Sequence, residues 1–312
     1  MTLVPAFRAD MSVGQPMGND TITAVEGVAV GHYTDTEAMT GVTVVTFSEP
    51  NVGVVDVRGG APGTRELAIF GEAIKPVTVN ALVFSGGSAF GLASAQGVVD
   101  ELEAEGKGAP TPTGPVPIVP TVILYDLMVG RSDIRPTASN GQSAYLARSR
   151  DPVAMGGVGA GTGATVGKLA GIEHATASGI GSASVQVGDA TVGALVAVNA
   201  VGDVYSLNGE RITGSVEADL LARQNLGLGQ NTTLIAIATD AMVERAEMRR
   251  MAVRAHDALG ATIRPAHTRY DGDTAFVVSC GVREANTDGL VEAAFETVAT
   301  AILAAIKHSV PK

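Results

Sequence analysis

Apolar positions along this chain follow two rhythms. Short β-branched runs broken by turn residues, VTVVTF (42–47), VGVVDV (52–57) and VNALVF (79–84), predict strands. IVPTVILYD (118–126) predicts a buried strand with a proline near its start. SASVQVG (182–188) and ATVGALVAVNA (190–200) predict a hairpin turning at Gly188-Asp189, with Val192, Ala194 and Val196 on one face. TLIAIAT (233–239) and TAFVVSCG (274–281) complete the strand set. Helical spacing appears between these runs. SGGSAFGLASAQGVVDELEAEG (85–106) predicts a glycine-rich turn and then a helix ending near Gly106, and residues 141–150 predict a short helix. A long helix is expected from Asp240 as N-cap to Gly260 as its stop, and a last one from a Thr287 or Asp288 cap to about His308. GAPTPTGPVP (108–117) is a proline-rich loop, and Asn208-Gly209 marks a turn into a polar stretch reaching Gln230. Strands and helices mix without strict alternation and without an internal repeat, which favours a layered pair of sheets with helices outside.

Composition narrows the class. The chain has 312 residues, 46% hydrophobic and 17% charged, so it folds around a sizeable core. Aromatics are only 4%, Trp is absent and Gly numbers 39, so the core is built from Ala, Val, Leu and Ile with backbones packed closely. A net charge of −11 argues against a phosphate-backbone binder and against an anionic membrane surface. Cys280 is the only cysteine and sits in FVVSC, a buried-strand context, so no internal disulfide forms. The first residues, MTLVPAFRADMSV, lack the apolar region of a signal peptide. The longest apolar stretch, near the C-terminus, is broken by Glu292 and Glu296 and reads as an amphipathic helix. A cytoplasmic protein is the expectation.

The most informative chemistry is at Asn231-Thr232, which joins a polar stretch to an apolar strand. A threonine hydroxyl held at a strand mouth can attack the preceding carbonyl; hydrolysis of the resulting ester cuts the chain. The new first residue, Thr232, then carries both a hydroxyl nucleophile and an α-amine with an ordinary pKa of about 7.7–8.0 that can act as its base. The dipeptide alone is weak evidence. Asn286-Thr287 also occurs, in a capping context, and Gly-Ser pairs lie at 87–88, 181–182 and 214–215, the last before the helical pattern VEADLLAR. Asn231-Thr232-Thr233 also fits a glycosylation acceptor, a poor reading without a secretory signal.

In HTRYDGDT (267–274), Asp271 and Asp273 lie two residues apart at a strand mouth and can face one side. The bland reading is a polar turn around Gly272. A metal site on His267, Asp271 and Asp273 is the poorer reading, since hard cations want more oxygens and zinc more His or Cys. GAGTGA (159–164) fits a loose dinucleotide fingerprint without the helix and acidic residue that should follow. Lys168, a lone charge closing this glycine tract, is either a solvated loop lysine or a lysine in a dry cavity with a lowered pKa. Asn199, in AVNAVG, needs partners if buried and can tie down a strand end or aim its NH₂ at an oxyanion; Tyr125 is a packed core tyrosine or a hydroxyl donor. His32, His174, His256 and His308 have no partner pattern and are expected on the surface or in packing.

Together, GGSAFGL (86–92), VILYD (122–126), GK (167–168), VAVNAVG (196–202), NTTLIAIATD (231–240) and HTRYDGDT (267–274) resemble the self-processing amidases. These include D-aminopeptidase, the β-peptidyl aminopeptidases and the nylon-oligomer endo-hydrolase, and the resemblance runs from about Ala24 to Lys307. It implies an α+β fold, a four-layer αββα sandwich with N-terminal-nucleophile-like chemistry. It implies a single domain cut into chains 1–231 and 232–312, with Thr232 as nucleophile, Asp273 in contact with it and Asp271 behind. Asn199 and Tyr125 would hold the oxyanion or the scissile carbonyl, and Lys168 would act in processing and catalysis. The implied substrate is a small peptide or ω-amino amide, with no cofactor and no metal, and the assembly a tetramer of two-chain units. The aminopeptidase branch cuts Gly-Ser and uses Ser; Asn-Thr, Lys168 and Asp-Gly-Asp look more like the nylon-oligomer branch. An acyltransferase of the ornithine-acetyltransferase type and an uncut binding protein of the same fold are the alternatives.

Overall fold

A computed structural model describes residues 18–71, 74–76, 78–214 and 231–309. Of the polar stretch expected from Asn208-Gly209 to Gln230, residues 208–212 are exposed; the helical pattern after Ser215 and all of 215–230 lie outside the described residues. The chain begins with β1 (Ala29–Asp35), β2 (Thr40–Thr46), β3 (Val52–Val57), β4 (Thr64–Arg65), β5 (Ala81–Ser85) and α1 (Ser94–Ala104). There follow a small hairpin of β6 (Ala109–Thr111) and β7 (Gly114–Val116), then β8 (Thr121–Ile123) and α2 (Ala138–Leu146). The second half runs β9 (Thr165–Val166), β10 (Thr176–Ala177), β11 (Ile180–Val187), β12 (Ala190–Asn199), β13 (Asp203–Val204) and β14 (Thr232–Ala241). It closes with α3 (Arg245–Thr262), β15 (Ile263–Arg264), β16 (Thr274–Arg283) and α4 (Thr287–Lys307).

Two five-stranded sheets carry the architecture, one ordered β1-β2-β5-β8-β4 and the other β11-β12-β14-β16-β3. Most pairings are antiparallel; β14 with β16 and β5 with β8 are parallel, and α3 lies between β14 and β16 in the chain, as a parallel crossover requires. Strand alternation sorts the side chains. Leu195 and Ala197 of β12, Leu234, Ala236 and Ala238 of β14, and Phe276 and Val278 of β16 share one apolar cluster with Val45, Leu82 and Phe84 of the other sheet. The opposite face of the second sheet, Val192, Ala194, Val196, Ile235, Ile237 and Val277, packs with α3 and α4. The opposite face of the first sheet, Val42, Val44, Ala81 and Val83, packs with α1 and α2. α4 is long and apolar enough to cross a membrane by length and composition, and it buries Leu290, Ala294, Val298 and Ile302 in the second sheet's cluster.

Several element ends differ from the sequence expectation. β14 runs through Asp240, whose carboxylate accepts the Thr191 N–H at 2.7 Å, so it caps no helix; α3 starts at Arg245 and continues past Gly260 to Thr262. Of 118–126 only Thr121–Ile123 form a strand, because the chain leaves the sheet after Ile123 to place Tyr125 and Asp126. The last helix is capped by Asn286, which accepts the Gly289 N–H, rather than by Thr287 or Asp288. The Gly188-Asp189 turn and the face shared by Val192, Ala194 and Val196 are found as expected. Cys280 is buried, and burial pushes its thiol up to about 12.

Candidate active site

The site is assembled at the mouth of β14, where the second sheet meets the chain leaving β8. Thr232 is the first residue of β14 and pairs directly with Asn199, the last of β12. Both belong to the strand phase that faces the other sheet, in step with Leu234 and Ala197. Thr232, Asn231 and Asn199 are all buried.

Asn231 is held as one added rung of a parallel ladder against Asp271. Its N–H donates to the Tyr270 carbonyl at 3.3 Å, and its own carbonyl accepts the Gly272 N–H at 2.9 Å. The same carbonyl accepts a close hydrogen bond from Thr232 Oγ1. The bond before Thr232 thus has its oxygen between a fixed backbone donor and the Thr232 hydroxyl. A Cβ on Gly272 would lie 2.8 Å from Thr232 Oγ1, so glycine leaves that hydroxyl its room.

The two aspartates do different work. Asp273 Oδ1 accepts the Thr233 N–H at 2.7 Å, fixing the residue after Thr232. Its Oδ2 accepts the His267 backbone N–H at 3.0 Å and His267 Nδ1–H at 2.8 Å. Asp271 Oδ2 accepts the Thr268 N–H at 3.0 Å and the Thr268 hydroxyl at 2.5 Å. Burial and then the neighbouring Asp273 charge push Asp271 up to about 6. Having turned to different partners, the two do not converge with His267 on one point, and among the described residues no group of three or more His, Cys, Asp or Glu could hold a metal ion.

Lys168 is buried and its Nζ donates to Asn199 Oδ1 at 2.8 Å and to the Asn199 carbonyl at 3.2 Å. Desolvation lowers its ammonium to about 7, against the opposing pull of Asp271. Of the two sequence readings, burial excludes the solvated loop lysine. The approach depends on Gly167, whose φ of 71° turns the chain so that the Lys168 N–H meets the Val201 carbonyl. Asn199 Oδ1 also accepts the Thr165 N–H at 3.0 Å, and its Nδ2 donates to the Tyr125 carbonyl at 2.9 Å. That last bond ties the two sheets together at the site, and Tyr125 meets Asn199 through its backbone rather than its hydroxyl.

The fold therefore brings Thr232, Asn231, Asp271, Asp273, Asn199, Lys168 and the Tyr125 backbone to one place. Sequence reasoning passed over three contributors. Gly59 and Gly60 follow β3 and press against the 267–273 loop; the Gly59 N–H donates to the Asp273 carbonyl at 3.2 Å and the Gly60 N–H to the Thr268 carbonyl at 3.2 Å. A Cβ on Gly59 would stand 2.3 Å from the Asp271 carbonyl oxygen. The glycine pair after a strand was the available signal. His256, expected in packing, is buried on α3 with its ring edge-on to His267 at 4.8 Å between centroids. GAGTGA instead forms a tight turn packed on β1 and β2, with the Gly159 N–H donating to Thr34 and the Ala160 N–H to Thr43.

The sequence model described as Peptidase family S58 matches residues 20–311. An uncharacterized aminopeptidase of Mycobacterium tuberculosis is 43% identical over 288 residues, spanning 84% of this chain and 82% of that protein. The 6-aminohexanoate-oligomer endohydrolase of Paenarthrobacter ureafaciens is 28% identical over 268 residues, spanning 81% and 73%. Among solved structures, the L-aminopeptidase D-Ala-esterase/amidase of Ochrobactrum anthropi, described as a variant of the Ntn hydrolase fold, superposes with a TM-score of 0.73 at 19% identity over 95% of this chain and 88% of that one. A Burkholderia β-aminopeptidase superposes with a TM-score of 0.69 at 24% identity, over the same 95% and 88%.

Proposed function

Since the chain belongs to peptidase family S58 and is a hydrolase, we propose that it works as an N-terminal-nucleophile enzyme, maturing by cutting its own Asn231-Thr232 bond and then hydrolysing peptides or small amino amides with Thr232. The observation that carries this reading is the Asn231 carbonyl, which accepts from both Gly272 N–H and Thr232 Oγ1. In processing, Oγ1 attacks that carbonyl carbon and its proton passes by way of Lys168, whose amine is half neutral near pH 7. Gly272 N–H receives the charge that develops on oxygen. The C–N bond breaks, the Thr232 nitrogen leaves as an amine, and water hydrolyses the ester to an Asn231 carboxylate and a free Thr232 hydroxyl.

In turnover the freed α-amine of Thr232 takes the hydroxyl proton, with Asp273 one residue away through its bond to Thr233 N–H. Asn199, with its Nδ2 donating to the Tyr125 carbonyl and its Oδ1 accepting from Lys168, keeps the site in register, and Asp271 sets the field around Lys168. Water then releases the acyl-enzyme, so no cofactor enters the scheme. The finer architecture that accompanies this reading is the αββα sandwich, supported by three apolar clusters stacked helix–sheet, sheet–sheet and sheet–helix. A tetramer of two-chain units in the cytoplasm completes it. Kinship with both aminopeptidase and oligomer endohydrolase names supports amide hydrolysis and leaves acyl transfer behind it.

Intact-mass analysis of the wild type beside Thr232→Ala tests the proposal. The wild type should give two chains, the smaller beginning TTLIA; the variant should give one. A wild type that hydrolyses amides while remaining one chain overturns it.

A further inference from the structure

Within the proposed self-cleavage reading, on which this inference rests, we propose that His267 is a positioning residue that fixes Asp273 for both processing and turnover. A carboxylate is held loosely by one donor and rigidly when each oxygen is committed. Asp273 is committed on both sides. Oδ1 faces Thr233 N–H at 2.7 Å, and Oδ2 receives two donors from His267, the backbone N–H at 3.0 Å and the ring Nδ1–H at 2.8 Å. An ionised carboxylate only accepts, so Nδ1 carries the hydrogen.

The backbone of His267 has φ 53°, the left-handed region that a β-substituted residue seldom occupies. That conformation brings its main-chain and ring donors to the same oxygen, and strain of this kind persists where the surroundings over-determine it. The ring is pinned in turn. His256 of α3 lies edge-on to it at 4.8 Å, and His256 Nε2 bonds the Asp56 carbonyl of β3 at 3.1 Å. Burial lowers His256 to about 4, so it stays neutral through the working range and acts as a wall, not a charge. The charged groups around the pair are Asp273 on its own loop, with Asp56 and Arg58 acting on His256. A chain of contacts therefore runs from β3 through α3 and His267 to Asp273, and from Asp273 to the residue after the nucleophile.

The test compares His267→Gly with His267→Asn. Glycine accepts the positive φ and deletes the ring donor; asparagine tolerates the same φ and returns an N–H near the position of Nδ1. Self-cleavage of freshly refolded precursor is followed by mass against pH, with circular dichroism as the folding check. His267→Gly should slow cleavage about ten- to hundredfold, the worth of a hydrogen bond to a charged group. His267→Asn should restore the rate. A glycine variant that cuts like the wild type overturns the inference, as does an asparagine variant as slow as the glycine variant. If the glycine variant fails to fold, the asparagine variant decides: the wild-type rate supports the inference, and a loss of tenfold or more overturns it. A wild type that never cuts sinks the Thr232 reading itself, an outcome distinct from a cutting wild type indifferent to His267.

Discussion

Lys168 shows how a single residue acquires chemistry from its surroundings. The sequence offered a lone cation after a glycine tract, equally at home in solvent. Gly167 turns it inward, Asn199 receives it, and desolvation lowers its ammonium to about 7. Its folded pKa lies below the ordinary value of 10.5, so the neutral amine gains ground as pH rises through about 7. Self-cleavage should accordingly accelerate between pH 6 and pH 8. Lys168→Arg keeps the charge at every pH and should cut slower by about 10²-fold or more, the usual worth of general base assistance, with that rise abolished. Time courses of precursor disappearance across the pH range check this. A rise that survives in the arginine variant would assign the titration to another group, and Asp271, at about 6, is the next in line.

At the scale of elements, the glycines decide how closely layers approach. A Cβ on Gly97 of α1 would stand 1.8 Å from the Ala138 carbonyl oxygen, and one on Gly141 of α2 would stand 1.9 Å from the Ser94 carbonyl oxygen. The two helices cross backbone to backbone. Gly260 is also helical, in α3, yet a Cβ there meets nothing within 4 Å. Helix propensity alone favours alanine over glycine by about 0.8–1.0 kcal/mol at any of these positions. Packing reverses the sign at the crossing, where overfilling costs about 1–3 kcal/mol. Gly97→Ala should therefore lower the urea midpoint and Gly260→Ala should raise it; the same sign for both would contradict the packing described. Gly260 also explains a misplaced boundary. A glycine reads as a helix stop in sequence, whereas here the helix runs through it because its φ is helical and its surroundings are open.

For the whole molecule, the position of the proposed cut matters more than its chemistry. In the second sheet β14 and β16 lie between β12 and β3, so the strands after the cut are flanked on both sides by strands before it. Leu234, Ala236 and Phe276 are also shared in the inter-sheet core. Separating the chains would mean dismantling that sheet, so the two products should co-elute in native size-exclusion chromatography and separate only in denaturant. Free small chain under native conditions would contradict this topology.

The strand and helix runs, the Gly188-Asp189 turn, the buried thiol and the place of Asn231-Thr232 at a strand mouth were legible along the chain, because alternation, propensity and capping act over neighbouring residues. Which side of the glycine tract Lys168 faces, that Tyr125 offers its carbonyl rather than its hydroxyl, and that His256 reaches Asp273 through His267 were decided only by the fold. Those facts rest on contacts between residues far apart in sequence and on the low polarity created when two sheets close over them. No local pattern carries the distance between 168 and 199, or between 233 and 273; burial and geometry do.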